Sequence, residues 1–342
     1  MILKGLRFLR TLKDKLLGFL IFLPSSKTLG YGWNLGSILG IFFFLQLLSG
    51  VMLAFYYGVE RAFDSVQYII YDVNMGWVLR LLHFNGARFF FFFIYLHIFK
   101  AFFIISYRLS LVWLTGVTIV FLFIMVGFIG YVLVYSQISY WAAVVITRLL
   151  RIFPFFGDFL VYLIWGGFRV IILTVKFFFV LHFLLPWLGV IIILLHLVFL
   201  HYTGRTSLLY CHGDYDKIIF FPYYWLKDLV GLLVIFLFFI FIFCFPFFLG
   251  DHEIFVDYNV LVSPVHISPE WYFLFVYTIL RSIPNKVLGV LGILISIFLM
   301  YFLIFNKTFG SIKKRVFFLI FVCLVLTWLG LCSPEYPYLF LG

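Results

Sequence analysis

The stretch LLHFNGARFFFFFIYLHIFK, residues 81–100, decides the fold because it places two histidines inside an apolar run long enough to span a membrane. A second stretch, LHFLLPWLGVIIILLHLVFL at residues 181–200, has the same character. A helix needs about 20 apolar residues to cross a hydrocarbon core of about 30 Å. Ionisable side chains inside such spans are rare and mark candidate functional sites. We therefore expect the chemistry of this protein to lie on these two helices.

The composition is typical of a polytopic membrane protein. Of the 342 residues, 66% are hydrophobic and only 11% are charged, whereas soluble domains are about half apolar and about a quarter charged. These values exclude a water-soluble enzyme, a disordered chain and a collagen-like fibre. The four cysteines form no CxxC pair, which argues against a disulfide framework, a zinc site and covalent haem attachment.

Seven apolar runs are long enough to span a membrane; we predict spans at 33–55, 77–105, 111–135, 177–201, 228–249, 287–305 and 316–332. The stretches 137–167 and 268–282 are broken or bounded by proline and glycine, and are predicted to be helices in the membrane interface on one side. The N-terminal tail and the loops after spans two, four and six carry 15 Lys and Arg against four Asp. This excess predicts that the N-terminus faces the negative side. The net charge of +11 thus indicates topology, and no nucleic-acid partner is predicted.

The histidines of the second and fourth spans share one spacing: His83 and His97 are 14 residues apart, and so are His182 and His196. Fourteen residues make nearly four helical turns, so the histidines of each span share a face and lie about 21 Å apart. One span separates these two helices, so they run parallel, and the first histidines of both spans are expected at one depth. Each pair at one depth can hold a planar metal cofactor between two imidazoles. Such ligation fills both axial positions of a haem iron and suits electron transfer.

Glycines repeat the same spacing in the neighbouring spans, at Gly36 and Gly50 and at Gly116 and Gly130. Glycine permits the close backbone approach that a haem edge needs at two depths. Arg80 and Lys100 lie about one helical turn outside the two histidines of the second span, where they could pair with haem propionates.

Other interpretations of these residues stay open. Intramembrane histidines can bond to neighbouring helices or form a proton relay, and glycines are common in membrane helices through small-residue packing. Arg80 and Lys100 can also snorkel at helix ends. One 14-residue period shared by four helices favours two cofactors over these alternatives. Arg88, midway along the second span, is explained by neither interpretation.

Several further blocks occur in order along nearly the whole chain: GYVL at 130–133, WGGF at 165–168, HLVFLH at 196–201 with TG at 203–204, PYY at 222–224 with KD at 227–228, PEWYF at 269–273 and LRSIPNK at 280–286. With the four histidines, these blocks closely resemble the cytochrome b family, the membrane core of the quinol–cytochrome c reductase complex (respiratory complex III). The fused chain and the equal histidine spacings resemble mitochondrial or bacterial members rather than plastid ones.

The resemblance implies the catalytic subunit of a quinol–cytochrome c reductase that runs a Q cycle with proton translocation. Quinol would be oxidised on the positive side, near the haem of His83 and His182. One electron would leave to an iron–sulfur protein, and the other would cross both haems to reduce quinone on the negative side. The implied cofactors are two non-covalent haem b groups, with the four histidines as axial ligands of the haem iron, and the implied substrate is ubiquinol or ubiquinone.

The expected partners are a Rieske-type iron–sulfur protein, a cytochrome c-type subunit and the other subunits of complex III, in a homodimeric complex embedded in the lipid bilayer. The expected location is the mitochondrial inner membrane, with multiple spans, or alternatively a bacterial plasma membrane.

The resemblance also implies roles for individual residues. At the oxidation site, Glu270 matches the family's carboxylate, which can accept a quinol proton, and the other matching positions are Tyr131, Tyr277, Phe128, Ala142, Pro269 and Phe273. At the reduction site, His201 and Asp228 match residues that hydrogen-bond quinone and supply protons, and Lys227 could assist.

Structural interpretations compete with both sets. Ser268, Pro269 and Glu270 would also make a good helix start, with an N-cap, a proline at the first position and an acid in the first turn. The three reduction-site residues could instead be ordinary loop residues that solvate a helix start.

The chain departs from the family pattern in three places. Val134, Tyr135 and Ser136 replace the usual Pro-Trp-Gly, which leaves one edge of the oxidation pocket undefined. Ala142 replaces a usual glycine, and its methyl group is expected to weaken the binding of methoxyacrylate-type inhibitors; potent inhibition in a quinol–cytochrome c assay would contradict this. The sequence ends just after the seventh span, where the family usually has an eighth, so its C-terminus is expected on the positive side.

Two other functions fit the histidines less well. A transmembrane dihaem reductase fed by a soluble donor would need an NADPH- or flavin-binding segment, and no GxGxxG follows a strand pattern here. A proton-coupled transporter would show broken helices at the midplane and inverted repeats, which the sequence does not show.

The predicted fold is therefore an all-α polytopic membrane protein. It consists of a dihaem four-helix bundle, about three further transmembrane helices and interfacial helices. We predict an N-terminal segment on the negative side at 1–30, the dihaem bundle at 31–210 and a C-terminal quinol-site region with three transmembrane helices at 211–342.

Overall fold

The computed structural model describes residue 18 and residues 24–206, 216–264, 267–305, 312–333 and 335–338. Most of the predicted N-terminal segment at 1–30 lies outside these ranges. The last four residues also lie outside them, so the C-terminus that was predicted on the positive side is not among the described residues.

The described residues form eleven α-helices in an almost entirely helical fold. They are α1 (Leu35–Ala54), α2 (Ala62–Tyr71), α3 (Gly76–Phe103), α4 (Ser110–Val132), α5 (Gln137–Arg148), α6 (Gly157–Trp165), α7 (Ile172–Thr203), α8 (Tyr223–Cys244), α9 (Leu274–Ser282), α10 (Lys286–Phe302) and α11 (Ile312–Leu331). Two short strands, β1 (Pro24–Ser26) and β2 (Lys217–Ile219), pair antiparallel. The predicted all-α class is confirmed.

Seven helical segments within the described ranges are long and apolar enough to cross a membrane, as predicted. They are Tyr31–Ala54, Gly76–Phe103, Ser110–Val132, Ile172–Thr203, Tyr223–Cys244, Lys286–Phe305 and Lys314–Leu331. The 3-10 turns Tyr31–Asn34 and Leu303–Phe305 extend α1 and α10.

Two helices begin about a turn before the approximate span starts predicted for them, because their first turns include the charged residues Lys176 and Lys227. The start of α7 lies at Ile172 instead of 177, where Thr174 Oγ1 accepts from the Ile171 N–H and donates to the Trp165 carbonyl. The helix α8 begins at Tyr223 instead of 228, so Lys227 lies in its first turns. It ends at Cys244, since Pro246 follows and the residue before a proline disfavours helix.

The stretches between the spans contain short helices. The predicted 137–167 segment consists of α5 and α6, and the predicted 268–282 segment consists of the 3-10 turn Trp271–Phe273 and α9. The helix α2 was not predicted, because its apolar residues are interrupted by acidic and polar ones. It buries Ala62, Val66 and Ile69.

The four-helix bundle is built from two helix pairs, α1 with α3 and α4 with α7. A cluster of phenylalanines fills its middle. Phe43 and Phe90 each place their ring against Phe123, with ring centroids 5.1 Å apart in both contacts. Burial of such large apolar rings supplies much of the packing in a bundle core.

The C-terminal helices pack together beside α3. The helix α9 contacts both α10 and α11, and α11 contacts α3. Thr278 of α9 donates to the Leu326 carbonyl of α11 over 2.7 Å, and Arg281 donates to the Cys332 carbonyl over 2.9 Å. These bonds hold the second half of α9 against α11 and the residue that follows it.

Candidate functional site

Two cavities lie between the helix pairs of the bundle, and each is lined by one predicted histidine pair. The His83 cavity, of about 220 Å³, is lined by His83 and His182. The His97 cavity, of about 470 Å³, is lined by His97 and His196. The structure thus places the histidines in the pairs that their spacing predicted, at two levels of the bundle.

The imidazoles of the His83 cavity are oriented by hydrogen bonds at Nδ1. Their ring centroids lie 6.1 Å apart, and the ring planes are inclined by 84°. Nδ1 of His83 lies 3.0 Å from Ser49 Oγ, and Nδ1 of His182 lies 3.0 Å from the Val126 carbonyl oxygen. A histidine bonded in this way at Nδ1 keeps Nε2 available to ligate a metal.

The imidazoles of the His97 cavity differ from each other. Nδ1 of His196 lies 3.0 Å from Thr115 Oγ1, whereas Nδ1 of His97 is buried with no hydrogen-bond partner in the described part of the chain. Ser49 and Thr115 each immediately precede a glycine that lines a cavity. Leu35 stands at the corresponding place before Gly36, and its side chain has no polar atom.

Each of the four predicted glycines faces one of the four imidazoles. A Cβ atom would lie 3.0 Å from His83 at Gly50, 3.2 Å from His196 at Gly116 and 3.7 Å from His97 at Gly36, and at Gly130 it would overlap the His182 ring. The spacing was predicted to admit a haem edge. In the structure, the described neighbours of these glycines are the imidazoles of the packing partner helix.

Donors for carboxylate groups line both cavities. Arg80 lines the His83 cavity, while Lys100, Arg205 and Trp33 line the His97 cavity. Nε1 of Trp33 is buried without a hydrogen-bond partner in the described ranges. Burial lowers the pKa of the Arg205 guanidinium from its ordinary value, while the nearby Asp228 charge opposes this shift. Cations beside a buried N–H form a donor set that fits propionate groups.

Sequence reasoning missed Arg205 and Trp33 as site residues. In the sequence, Arg205 is one of the basic residues after a span that indicate topology. Its place in the lining of the His97 cavity depends on the three-dimensional fold and cannot be recognised from the local sequence. Trp33, like most aromatic residues here, gave no distinguishing signal among 9 tryptophans and 51 phenylalanines.

Of the predicted oxidation-site residues, Glu270 and Tyr131 line the His83 cavity together. The carboxylate of Glu270 accepts from Arg88 Nε over 2.9 Å and from Arg88 Nη2 over 2.7 Å. The alternative that Glu270 lies in a helical first turn is wrong, because the 3-10 turn begins only at Trp271. The Glu270 side chain makes no capping bond there, since both of its oxygens are bound to Arg88.

The other predicted oxidation-site residues are not among the described lining of this cavity. Phe128 packs against Phe178, with ring centroids 6.1 Å apart. Ala142 is buried within α5, and Phe273 lies beside Gly127, which does line the cavity. Pro269 and Tyr277 are partly buried. Roles for these five residues stay predictions.

The three residues that replace the family's Pro-Trp-Gly form a defined turn. Val134 lines the His83 cavity. Tyr135 adopts a positive φ of 53° and packs 4.4 Å from the Tyr258 ring; its burial raises the pKa of its hydroxyl. The Ser136 N–H donates to Ser139 Oγ over 2.9 Å at the start of α5.

Of the predicted reduction-site residues, Asp228 lines the His97 cavity. Its Oδ1 accepts from Asn34 Nδ2 over 3.0 Å and from Ser37 Oγ over 2.7 Å. Lys227 is directed elsewhere, because its Nζ donates to the Leu29 carbonyl over 2.7 Å. His201 lies in the last turn of α7, partly buried, and outside the described cavity lining.

Comparison with known proteins agrees with the resemblance noted in the sequence. The family model described as "Cytochrome b/b6/petB" matches residues 20–204, and "Cytochrome b(C-terminal)/b6/petD" matches residues 257–342. The chain belongs to the cytochrome b family. Seven membrane-crossing helices and two histidine-lined cavities are thus the architecture of this family member.

Relatives of this family member are similar over most of their length. The "Cytochrome b" of Caenorhabditis elegans is 53% identical over 332 residues, which cover 95% of this chain and 90% of the relative. That of Apis mellifera ligustica is 44% identical over 329 residues, covering 93% and 86%. A solved structure titled "Hyperthermophilic respiratory Complex III" has a TM-score of 0.87 at 29% identity, covering 96% of this chain and 91% of its own.

Proposed function

We propose that this chain is the cytochrome b subunit of respiratory complex III, and that it oxidises quinol at the His83 cavity and reduces quinone at the His97 cavity. The observation that carries the proposal is the pairing of histidines with one carboxylate in each cavity. Glu270 lines the first cavity and Asp228 lines the second. This arrangement supports a Q cycle, in which both quinone reactions occur in one chain at two membrane depths.

Two non-covalent haem b groups would be held by the two histidine pairs. The available Nε2 atoms, the glycines that face the imidazoles and the cations at the cavity walls support this assignment. When bound, each haem would supply a one-electron redox centre, held by His83 and His182 in one cavity and by His97 and His196 in the other. The side chains that orient the imidazoles are Ser49 and Thr115.

At the oxidation site, Glu270 is the proposed acceptor of a quinol proton. Tyr131 lines the same cavity, where its hydroxyl can hydrogen-bond a bound quinol. Tyr272 also lines it. Its ring stacks on Phe91 with centroids 4.1 Å apart. We therefore assign Tyr272 to packing rather than to proton transfer.

At the reduction site, Asp228 is the proposed group that hydrogen-bonds quinone and passes protons to it. Asn34 and Ser37 hold one of its oxygens, which fixes the carboxylate at the cavity wall. His201 and Lys227 lie at the same end of the molecule, at the end of α7 and the start of α8. They are proposed to supply protons to Asp228 at the His97 cavity.

The proposed partners are a Rieske-type iron–sulfur protein, a cytochrome c-type subunit and the other complex III subunits. Support comes from the similar structure titled as a respiratory complex III and from the sequence, which has no cysteine set to hold an iron–sulfur cluster itself. The cytochrome b relatives from animals support the mitochondrial inner membrane as the location. A homodimeric complex is proposed on family grounds.

The first test is a potentiometric titration of reduced-minus-oxidised spectra, with haem per chain quantified, followed by a quinol–cytochrome c assay on the assembled complex. We expect two b-type haems with separate midpoints and quinol-dependent reduction of cytochrome c. A chain with one haem or none would overturn the assignment of both histidine pairs and return the proton-coupled transporter to consideration.

Replacing Asp228 with asparagine is expected to slow quinone reduction by about a hundredfold, because a proton relay of this kind contributes about 10²–10⁴-fold. Asn34 and Ser37 could still bond the amide oxygen, so the fold should be kept. The measurement is the rate at which quinol, bound at the His97 cavity, reduces haem while the oxidation site is inhibited. Asp158→Asn, which breaks an exposed ion pair with Arg151, is the matched control, and equal rates in both variants would contradict the role.

Replacing Ser49 with alanine is expected to weaken haem binding at the His83 cavity by about 10–100-fold, which is typical when a hydrogen-bond partner of a metal-ligating histidine is lost. The measurement is the rate of haem loss to an excess of an acceptor globin. Leu35→Ser is the opposite change, since it places a hydroxyl before Gly36 as Ser49 stands before Gly50, and Nδ1 of His97 has no partner among the described residues. Haem loss that is unchanged in Ser49→Ala would show that this bond does not orient His83.

A further inference from the structure

Arg88 is the most deeply buried cation among the described residues, and its position in α3 is explained by its partner. Its side chain is 2% exposed, and that of Glu270 is 9% exposed. A charged side chain inside a membrane span is costly unless it is paired. Two parallel N–H···O bonds join the guanidinium to both carboxylate oxygens, and this bidentate geometry is the strongest form of such a pair.

The surroundings hold both partners in place. The guanidinium lies over the Phe84 ring, 3.7 Å from its centroid, and Phe84 lines the His83 cavity. The Glu270 carbonyl accepts from the Phe273 N–H over 2.8 Å, which fixes the backbone on the other side of the pair. The carboxylate therefore stands at the cavity wall in one orientation.

Other ionisable groups face this pair from several elements. Arg80 of α3 and Tyr131 of α4 line the same cavity, as does Tyr272. Of these groups, none shares the direct contact that Arg88 makes with both Glu270 oxygens.

We infer that Arg88 is a positioning residue of the quinol-oxidation site: it holds the Glu270 carboxylate at the wall of the His83 cavity and supplies the counter-charge for it. The inference rests on the proposed function, since it assigns Glu270 as the acceptor of a quinol proton. Without the guanidinium, the carboxylate would be buried and unpaired, and such a group takes up a proton instead of remaining charged. A carboxyl group that is already protonated cannot accept the proton of quinol.

The test compares Arg88→Gln, Arg88→Lys, Glu270→Gln and the Arg88→Gln/Glu270→Gln double variant in the assembled complex. Two readouts are taken: the infrared band of protonated carboxyl groups with isotope-labelled glutamate, and kcat and KM for a short-chain ubiquinol. Lys176→Gln is the matched control, because it removes an exposed cation from α7. Reduced spectra and quinol oxidation by the unmodified complex are recorded first.

We expect Arg88→Gln to gain a protonated-glutamate band that disappears in the double variant. Its kcat should fall by about 10²-fold, as loss of a proton acceptor does, with KM nearly unchanged. Arg88→Lys should recover most of kcat, and the double variant should be no slower than Glu270→Gln alone. If the Arg88→Gln complex does not assemble, the infrared carboxylate band of Glu270 in Arg88→Lys tests the inference instead. An ammonium group cannot reproduce the bidentate contact, so this band must shift.

An unshifted carboxylate band in Arg88→Lys, or an Arg88→Gln variant with normal kcat and no new band, would overturn the inference while leaving the proposed function intact. A complex that contains both haems but does not oxidise quinol before any substitution would overturn the proposed function and this inference with it. The two failures are therefore distinguished by the unmodified complex.

Discussion

Replacing His182 with alanine is expected to remove one of two haems per chain and to abolish quinol oxidation. His182 is paired with His83 across one cavity, with ring centroids 6.1 Å apart, so the variant would lack one of the two histidines that would hold a haem there. The His97 cavity has its own histidine pair and should keep its haem. The measurements are haem per chain by pyridine haemochrome assay and the optical spectrum of the reduced protein.

The matched control is His252→Ala, which removes an exposed histidine from the loop after α8. It should retain both haems and normal turnover. If His182→Ala retained two haems with unchanged midpoints, the histidine would be structural, and the cavity pairs would have to be assigned again. Loss of both haems would show that the two sites fold as one unit.

Phenylalanines between the cavities support independent occupation. Phe43, Phe90 and Phe123 line both cavities, and their rings contact one another. They form an apolar partition between the two histidine levels. Loss of a ligand on one side leaves this partition in place, which is why one haem should survive.

The sequence predicted the regular parts of the site and missed those that depend on distant contacts. The 14-residue period fixes which histidines share a face, and helix geometry alone then gives their pairing at two levels. The partner of Arg88 could not be predicted in this way, since Glu270 lies 182 residues further along the chain. The bond between Asn34 and Asp228 joins residues 194 apart, and no local period reports such a contact.

The starts of two helices lie outside the approximate predicted spans for a related reason. A prediction from sequence assigns a charged residue near the end of a span to the adjacent loop, because charged side chains are costly in the apolar core of the membrane. Lys176 and Lys227 nevertheless lie inside α7 and α8. Lys227 donates to the Leu29 carbonyl, and this bond to a segment 198 residues away offsets the cost in a way that the local sequence does not reveal.

Replacing Gly130 with alanine is expected to cost most of the haem at the His83 cavity. Alanine is favoured over glycine within a helix by about 1 kcal/mol, so helix propensity alone predicts a more stable protein. The added methyl group would overlap the His182 ring, and overpacking of a core costs about 1–3 kcal/mol or more. The overpacking cost is larger than the gain in helix propensity. The overlap can be relieved only if the His182 imidazole rotates away from its present orientation toward His83.

The four glycines supply a graded series that separates this steric effect from propensity. Alanine should be tolerated best at Gly36, where the added atom would lie 3.7 Å from His97, an ordinary contact, and less well at Gly116 and Gly50, where the distances are 3.2 and 3.0 Å. Gly58→Ala, in the loop after α1 at 3.7 Å from Ser65, is the control outside the bundle. Haem per chain and the temperature of haem release should fall in the order of decreasing distance. Equal values across the series would mean that the glycines are kept for helix packing alone, and that the imidazoles do not depend on the space they leave.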